Sequence, residues 1–265
     1  MTAFGNQLHF ADAGEAADLA AFLARLIHYD RAAAVRLQAG GGVLAVFGRP
    51  PSFEVLAIRT ARLEAVGTAG ASEAGAPGGP GALDTTVSAG QFADALDTAG
   101  TGRTASGGLT VAVPEAVTGP PWAGVLPPRG GWRREAELPG TDEVRRAVAA
   151  AVAEFRARDE ALPEERRTRA ERDRIGHEIW SRTLGDTGLP LRAVHAAQSL
   201  GFLRPARGAS AGAGAATGSR GATALAPAAE PLALLAAGGW LRLRTPYGSI
   251  AVRTSGLPGL SVTPA

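Results

Sequence analysis

The amino-acid sequence predicts an α+β protein, an antiparallel sheet with helices packed on one side. Three observations lead there. Apolar residues recur at helical spacing in separate stretches of the chain. Short runs rich in aliphatic residues are joined by glycine or Pro-Gly turns, which marks hairpins rather than parallel crossovers. Finally, LAIRTARL at 56–63 and IAVRTSGL at 250–257 share Ala, Arg, Thr and Leu. Each ends a strand pair that follows an amphipathic helix, at 15–28 and at 191–203. A duplication would make two related helix-plus-hairpin halves. In a chain rich in Ala and Arg, chance similarity is the competing explanation, and the sequence leaves both open.

The elements follow in order. Asp12 and Glu15 have capping-box spacing ahead of Leu19, Phe22, Leu23, Leu26 and Ile27, which share one helical face. AAAVRLQ, a glycine turn at 40–42 and VLAVF then predict a strand pair. Pro50 and Pro51 end it, and FEVLAIRTARL at 53–63 reads as a third strand. Its middle is apolar on both faces, which places it centrally in the sheet. Ser88 and Gln91 repeat the capping spacing before Phe92 and Leu96, and LTVAV at 109–113 is a strand. Thr141 is the expected cap of a helix with the seam Val144, Val148, Val152 and Phe155. Residues 156–174 are polar all round and are expected to form a solvated, ion-paired helical segment interrupted by Pro163. Ile175, Ile179 and Trp180 return the chain to the core. Pro190 starts a helix that ends at Gly201, and WLRLRTPYGSIAVR closes as a hairpin through TPYG.

The chain reads as a single domain over 1–265 with flexible inserts at 67–82 and 206–230. These are small-residue, aromatic-free segments that cannot offset their ordering entropy by burial. A shorter stretch of the same kind covers 98–108. No apolar run approaches the ~18 residues of a membrane span. The first residues lack the basic and apolar regions of a secretory signal. The expected setting is therefore the cytoplasm, without membrane contact.

Composition removes several chemistries. There is no cysteine, and all 27 basic side chains are arginine. Thiolate nucleophiles and metal sites, a phosphate-loop lysine and Schiff-base catalysis are excluded together. The net charge is only +2. It is uneven, however: residues 67–128 hold one Arg against five acids, and residues 175–265 hold eight Arg against three. This asymmetry permits an acidic partner at the C-terminal end without requiring one.

Few constellations suggest catalysis. His177-Glu178 would need a second histidine four residues on to make a zinc-protease helix, and that position is Ser181. Asp173 lies one turn before His177 and is placed to orient its imidazole for general-base work. An i,i+4 polar pair on a helix flank is the plainer explanation. His195 shares a helical face with Leu191 and Gln198 and reads as a packing residue. GAGAATGSR at 212–220 superficially resembles a phosphate loop, but it follows no strand and offers no lysine. No metal site and no cofactor are expected.

The best binding candidates are elsewhere. Trp240, Arg242 and Arg244 alternate onto one face of the terminal hairpin, with Arg253 on the partner strand. Arginines beside an aromatic ring suit contact with phosphate and bases, or with a protein. Charged outer faces also guard exposed strands against edge pairing. The second candidate is PPWAGVLPPRGGW at 120–132. Four prolines make it a straightened rod, with Gly130-Gly131 as its bend. Trp122 and Trp132 then serve either as anchors pressed onto the fold or as a partner-facing patch.

PPRGGW and the terminal WLRLRTPYGSIAVR resemble uncharacterised proteins of high-GC actinobacteria, a resemblance that implies no activity and no site residues. The function expected is that of a non-enzymatic cytoplasmic interaction or regulatory protein with an unidentified protein partner. Nucleic-acid binding by the arginine hairpin is the alternative, and an enzyme around Asp173 and His177 the third reading. Homo-oligomer formation is compatible with each.

Overall fold

The structure, a computed structural model, describes residues 7–64, 83–100, 108–135, 137–204 and 232–254. The expected inserts at 67–82 and 206–230 lie outside the described residues, as do residues 101–107 of the shorter one. The N-terminal part comprises β1 (Gln7–Phe10), α1 (Ala13–Tyr29), β2 (Ala34–Gly40), β3 (Val43–Gly48), β4 (Leu56–Arg62), β5 (Leu83–Ser88), α2 (Ala89–Gly100) and β6 (Leu109–Ala112). After them come β7 (Arg133–Arg134), α3 (Thr141–Glu160), α4 (Arg169–Trp180), α5 (Leu191–Ser199), β8 (Ala233–Ala237), β9 (Trp240–Thr245) and β10 (Gly248–Arg253).

Eight strands form one sheet in the order β5-β2-β3-β4-β10-β9-β8-β7, and β1 pairs with β6 separately. Every pairing is antiparallel. The α+β class and its antiparallel sheet are as the sequence predicts. So is the central place of β4, whose residues are buried on both faces.

Local chemistry sets the element ends. The Asp12 carboxylate accepts the Gly14 N–H at 2.8 Å and caps α1. Glu15 does not complete a capping box. Its carboxylate instead takes the backbone N–H and the guanidinium of Arg62, tying the helix to β4. At α3 the cap is Gly140, and Thr141 is the first helical residue. The polar stretch 156–174 is not one helix. It breaks after Glu160, turns at Pro163, and restarts where the Thr168 hydroxyl accepts the Glu171 N–H. Ring-locked Pro163 has no N–H to continue the ladder.

The helices cover one face of the sheet. Val35, Leu37, Leu44, Val46, Ala57, Leu243, Ile250 and Val252 meet Leu19, Phe22, Leu23 and Leu26 of α1 and Val194 of α5 in one core. α1 lies on β4, α5 on β10, and α3 packs outside with α4 and α5. Two glycines allow this approach. A Cβ on Gly48 would collide with Leu26, and one on Gly248, at φ +153°, with the Phe202 ring.

The two parts share a plan: a helix followed by a three-stranded meander, α1-β2-β3-β4 and α5-β8-β9-β10. The meanders join edge to edge at β4–β10, with Ala57 opposite Ile250 and Leu56 opposite Ala251. Over their described residues the matched octapeptides nevertheless present opposite faces. Leu56 packs on the face away from the helices, whereas its sequence counterpart Ile250 lies in the helical core. Arg59 reaches Asp18 under α1, whereas Arg253 lies over Trp240. A one-residue slip exchanges the faces of a strand, so the sequence match sets the strands out of phase. Both are apolar on both faces, and similarity there needs no positional equivalence.

Candidate binding face

Residues 120–132 cross the sheet face opposite the helices. The chain reaches the β5 edge first, where the Val117 N–H donates to the Thr86 carbonyl at 2.9 Å and Ala116 bridges Val87. It leaves as β7, which pairs with β8 at the other edge. Eight strands span roughly 34 Å, which a segment of this length crosses in a largely extended course with slack for a turn. The four prolines hold it so. A 3-10 turn at Pro121–Gly124 breaks the straight course near its start.

The strap is pinned by its large side chains. Trp122, Leu126 and Trp132 pack against Phe47, Leu56, Ile58, Trp240 and Ala251. The Trp132 indole N–H donates to the Pro128 carbonyl at 2.9 Å, closing the far end. Both tryptophans are half-buried anchors.

The same face carries the arginine row. Arg253 stands directly opposite Trp240, Ala251 opposite Arg242, and Ser249 opposite Arg244. The Arg253 guanidinium lies 5.5 Å from the Trp240 ring centre, and that of Arg242 lies 5.6 Å from the Trp132 ring. The two sets of residues singled out in the sequence therefore form one surface. Arg242 is half-buried, its Nε has no hydrogen-bond partner, and no carboxylate pairs with it among the described residues. Burial lowers its pKa from the usual guanidinium value, and the positive Arg244 beside it adds to the effect. At the far end of this face Arg36 is different, being neutralised by Asp84 at 2.7 Å.

Two grooves flank the strap. One, of about 530 Å³, runs over Ala45, Phe47, Ile58 and Thr60 against Pro127 and Pro128, with Arg129 and Arg242 in its lining. The other, of about 420 Å³, lies between Trp122, Trp240 and the start of α5. Arg49, Arg129 and Arg192, which line these grooves, escape sequence reading. Arg129 sits inside the proline motif, but Arg49 and Arg192 are brought to the face only by tertiary packing.

Asp173, His177 and Glu178 lie elsewhere, on the exposed side of α4. Asp173 is 3.6 Å from Arg169. Glu178 accepts both Nη groups of Arg158, each at 2.8 Å, and an Nη of Arg182 at 3.3 Å. This network holds α3 against α4. His195 is a packing residue: its ring stacks on Trp180 at 4.4 Å and meets Phe53 edge-on at 5.2 Å. Desolvation lowers its pKa. Among the described residues no group of three or more His, Asp and Glu is arranged to hold a metal ion. No described helix is long and apolar enough to cross a membrane.

Residues 4–124 match one domain of unknown function (DUF8010), and residues 127–257 match another (DUF8185). The two meet inside the strap. The DUF8010 region supplies β2 to β5 and the DUF8185 region β7 to β10, so the large sheet is shared between them at β4–β10. No curated protein matches the chain.

Proposed function

We propose that the protein is a non-enzymatic binding protein that docks an acidic segment of another protein on the strapped face of its sheet. The observation that supports this most is Arg242. A guanidinium partly withdrawn from water without a carboxylate is unfavourable in isolation, and a partner's carboxylate would complete it with charge-assisted hydrogen bonds. Arg244 and Arg253 extend the positive row, and the adjoining groove offers an apolar floor for neighbouring side chains. The proposal keeps the cytoplasmic setting expected from the sequence.

The same arginines favour nucleic acid as a second reading. Single-strand binders, however, stack bases on open aromatic faces. Here Trp240 is 7 % exposed, and Trp122 and Trp132 are packed onto the sheet.

The two readings separate by fluorescence anisotropy with a labelled glutamate-rich peptide and a labelled oligothymidylate. The peptide is expected to bind, and Arg242→Glu to weaken it about tenfold or more. Arg145→Glu, on the helical side, is expected to leave it unchanged. Tight oligothymidylate binding that falls steeply with salt would replace the protein reading with the nucleic-acid one. Equal losses in both variants would remove the docking face altogether.

A further inference from the structure

We propose a separate site for a small organic anion, a carboxylate or phosphate carried on an aromatic or apolar body, in the groove between the strap and α5. This site does not depend on the docking reading. Its floor is apolar: Leu56, Ala251 and Trp240 are all at least nine-tenths buried. Trp122 and Val125 of the strap form one wall. Arg49, Arg192 and Arg253 supply three guanidinium groups against a single carboxylate, Glu54. At about 420 Å³ the space is of the size that takes small ligands.

The charges at this site are left over by the fold. Glu54 is only loosely placed against Arg192, with 3.9 Å between its Oε2 and the arginine Nε. That Nε is buried and has no hydrogen-bond partner. Arg253 has the Trp240 ring beneath it, and neither Arg49 nor Arg253 forms an ion pair among the described residues. A planar guanidinium matches the two oxygens of a carboxylate or phosphate. Trp122 and Val125, the more accessible apolar side chains of the lining, supply surface for the ligand's body.

The surroundings hold the groups in place. The loop between β3 and β4 carries both Arg49 and Glu54, and it is strained: Ser52 has φ +69° and Glu54 φ +53°. Such conformations persist only where packing over-determines them. Here Phe53, between the two, is wedged edge-on against Tyr29 and His195, and His195 stacks on Trp180. His195 lies about one turn beyond Arg192 on α5. The aromatic stack thus fixes the strained loop to α5, which borders the groove opposite the strap, and this presets the positions of Arg49 and Arg192.

Phenyl phosphate is the probe, followed by calorimetry and by quenching of tryptophan fluorescence. Saturable binding is expected, weaker for inorganic phosphate and absent for neutral benzyl alcohol. Arg49→Met and Arg192→Met are each expected to weaken phenyl phosphate about tenfold. Arg49 is exposed and on a loop, so its variant tests the site even if Arg192→Met fails to fold. Arg242→Glu lies outside this groove and is expected to leave phenyl phosphate binding intact, which separates failure here from failure of the docking face. Equal binding of benzyl alcohol, or indifference to both Met variants, would overturn the proposal.

Discussion

Arg59 on β4 and Arg242 on β9 are both drawn away from water, on opposite faces of one sheet, and among the described residues only Arg59 of the two has a carboxylate. On the helical face Asp18 reaches Arg59 at 3.1 Å with one oxygen and Arg204 at 2.8 Å with the other. Arg59 also donates to the Tyr247 carbonyl, and Arg204 lies 3.9 Å over the Tyr247 ring. Burial lowers the Arg59 pKa, and Asp18 opposes that shift. The cluster joins α1 and β4 to the chain after α5 and to the β9–β10 turn, so it fastens one meander to the other. Among the described residues Arg242 meets the Trp132 indole and no carboxylate. The difference teaches that Arg59 on the helical face is consumed by the fold, while Arg242 on the strapped face is left for something outside it.

The comparison breaks most visibly at Asp18. Asp18→Ala is expected to cost on the order of 3 kcal/mol in urea denaturation, because it strands the buried Arg59 charge. Combining it with Arg59→Met is expected to recover much of that loss, since no uncompensated guanidinium remains. A cost below ~1 kcal/mol for Asp18→Ala would mean that the cluster is not a fastening. Arg242→Met is the counterpart with a smaller effect. It should leave stability within about 1 kcal/mol of the parent, or raise it, because no folded partner is lost. A destabilisation as large as that of Asp18→Ala would assign Arg242 to the architecture and undo the contrast.

Much of this was legible in the sequence, for reasons that differ by element. α1 and the terminal hairpin carry local signals, namely the Asp12 cap, helical periodicity and the TPYG turn. The alternation of Trp240, Arg242 and Arg244 onto one face follows from the pleat alone. β7 and β8 were not legible. Two arginines have no strand periodicity, and LALLAA reads equally as helix or strand until its neighbours are known. The meeting of Trp122 and Trp132 with the arginine row depends on where the strap lands, which is a tertiary fact. The octapeptide match fixes no register, because doubly buried strands converge on similar aliphatic composition whichever face each residue takes.

The smallest expected effect concerns surface arginines whose charge is satisfied by neighbours in water. Hydrogen bonding from Arg158, reinforced by its charge and by Arg182, holds the Glu178 carboxyl at a pKa of about 2. A carboxylate whose pKa is lowered on folding stabilises the protein above its unfolded value, and that contribution is lost as pH falls from about 4.5 through about 2. Glu178 is solvent-facing, so the stability at stake is small and salt-sensitive. A carboxyl-detected NMR titration is expected to place its midpoint near 2, and Arg158→Met to move it back toward the ordinary carboxylate range. A midpoint already in that range in the parent protein would show that the α3–α4 network is loose in solution. Glu178 would then be free to exchange a proton at mildly acidic pH beside His177, and the fastening of charge seen at Arg59 would not extend to the outer helices.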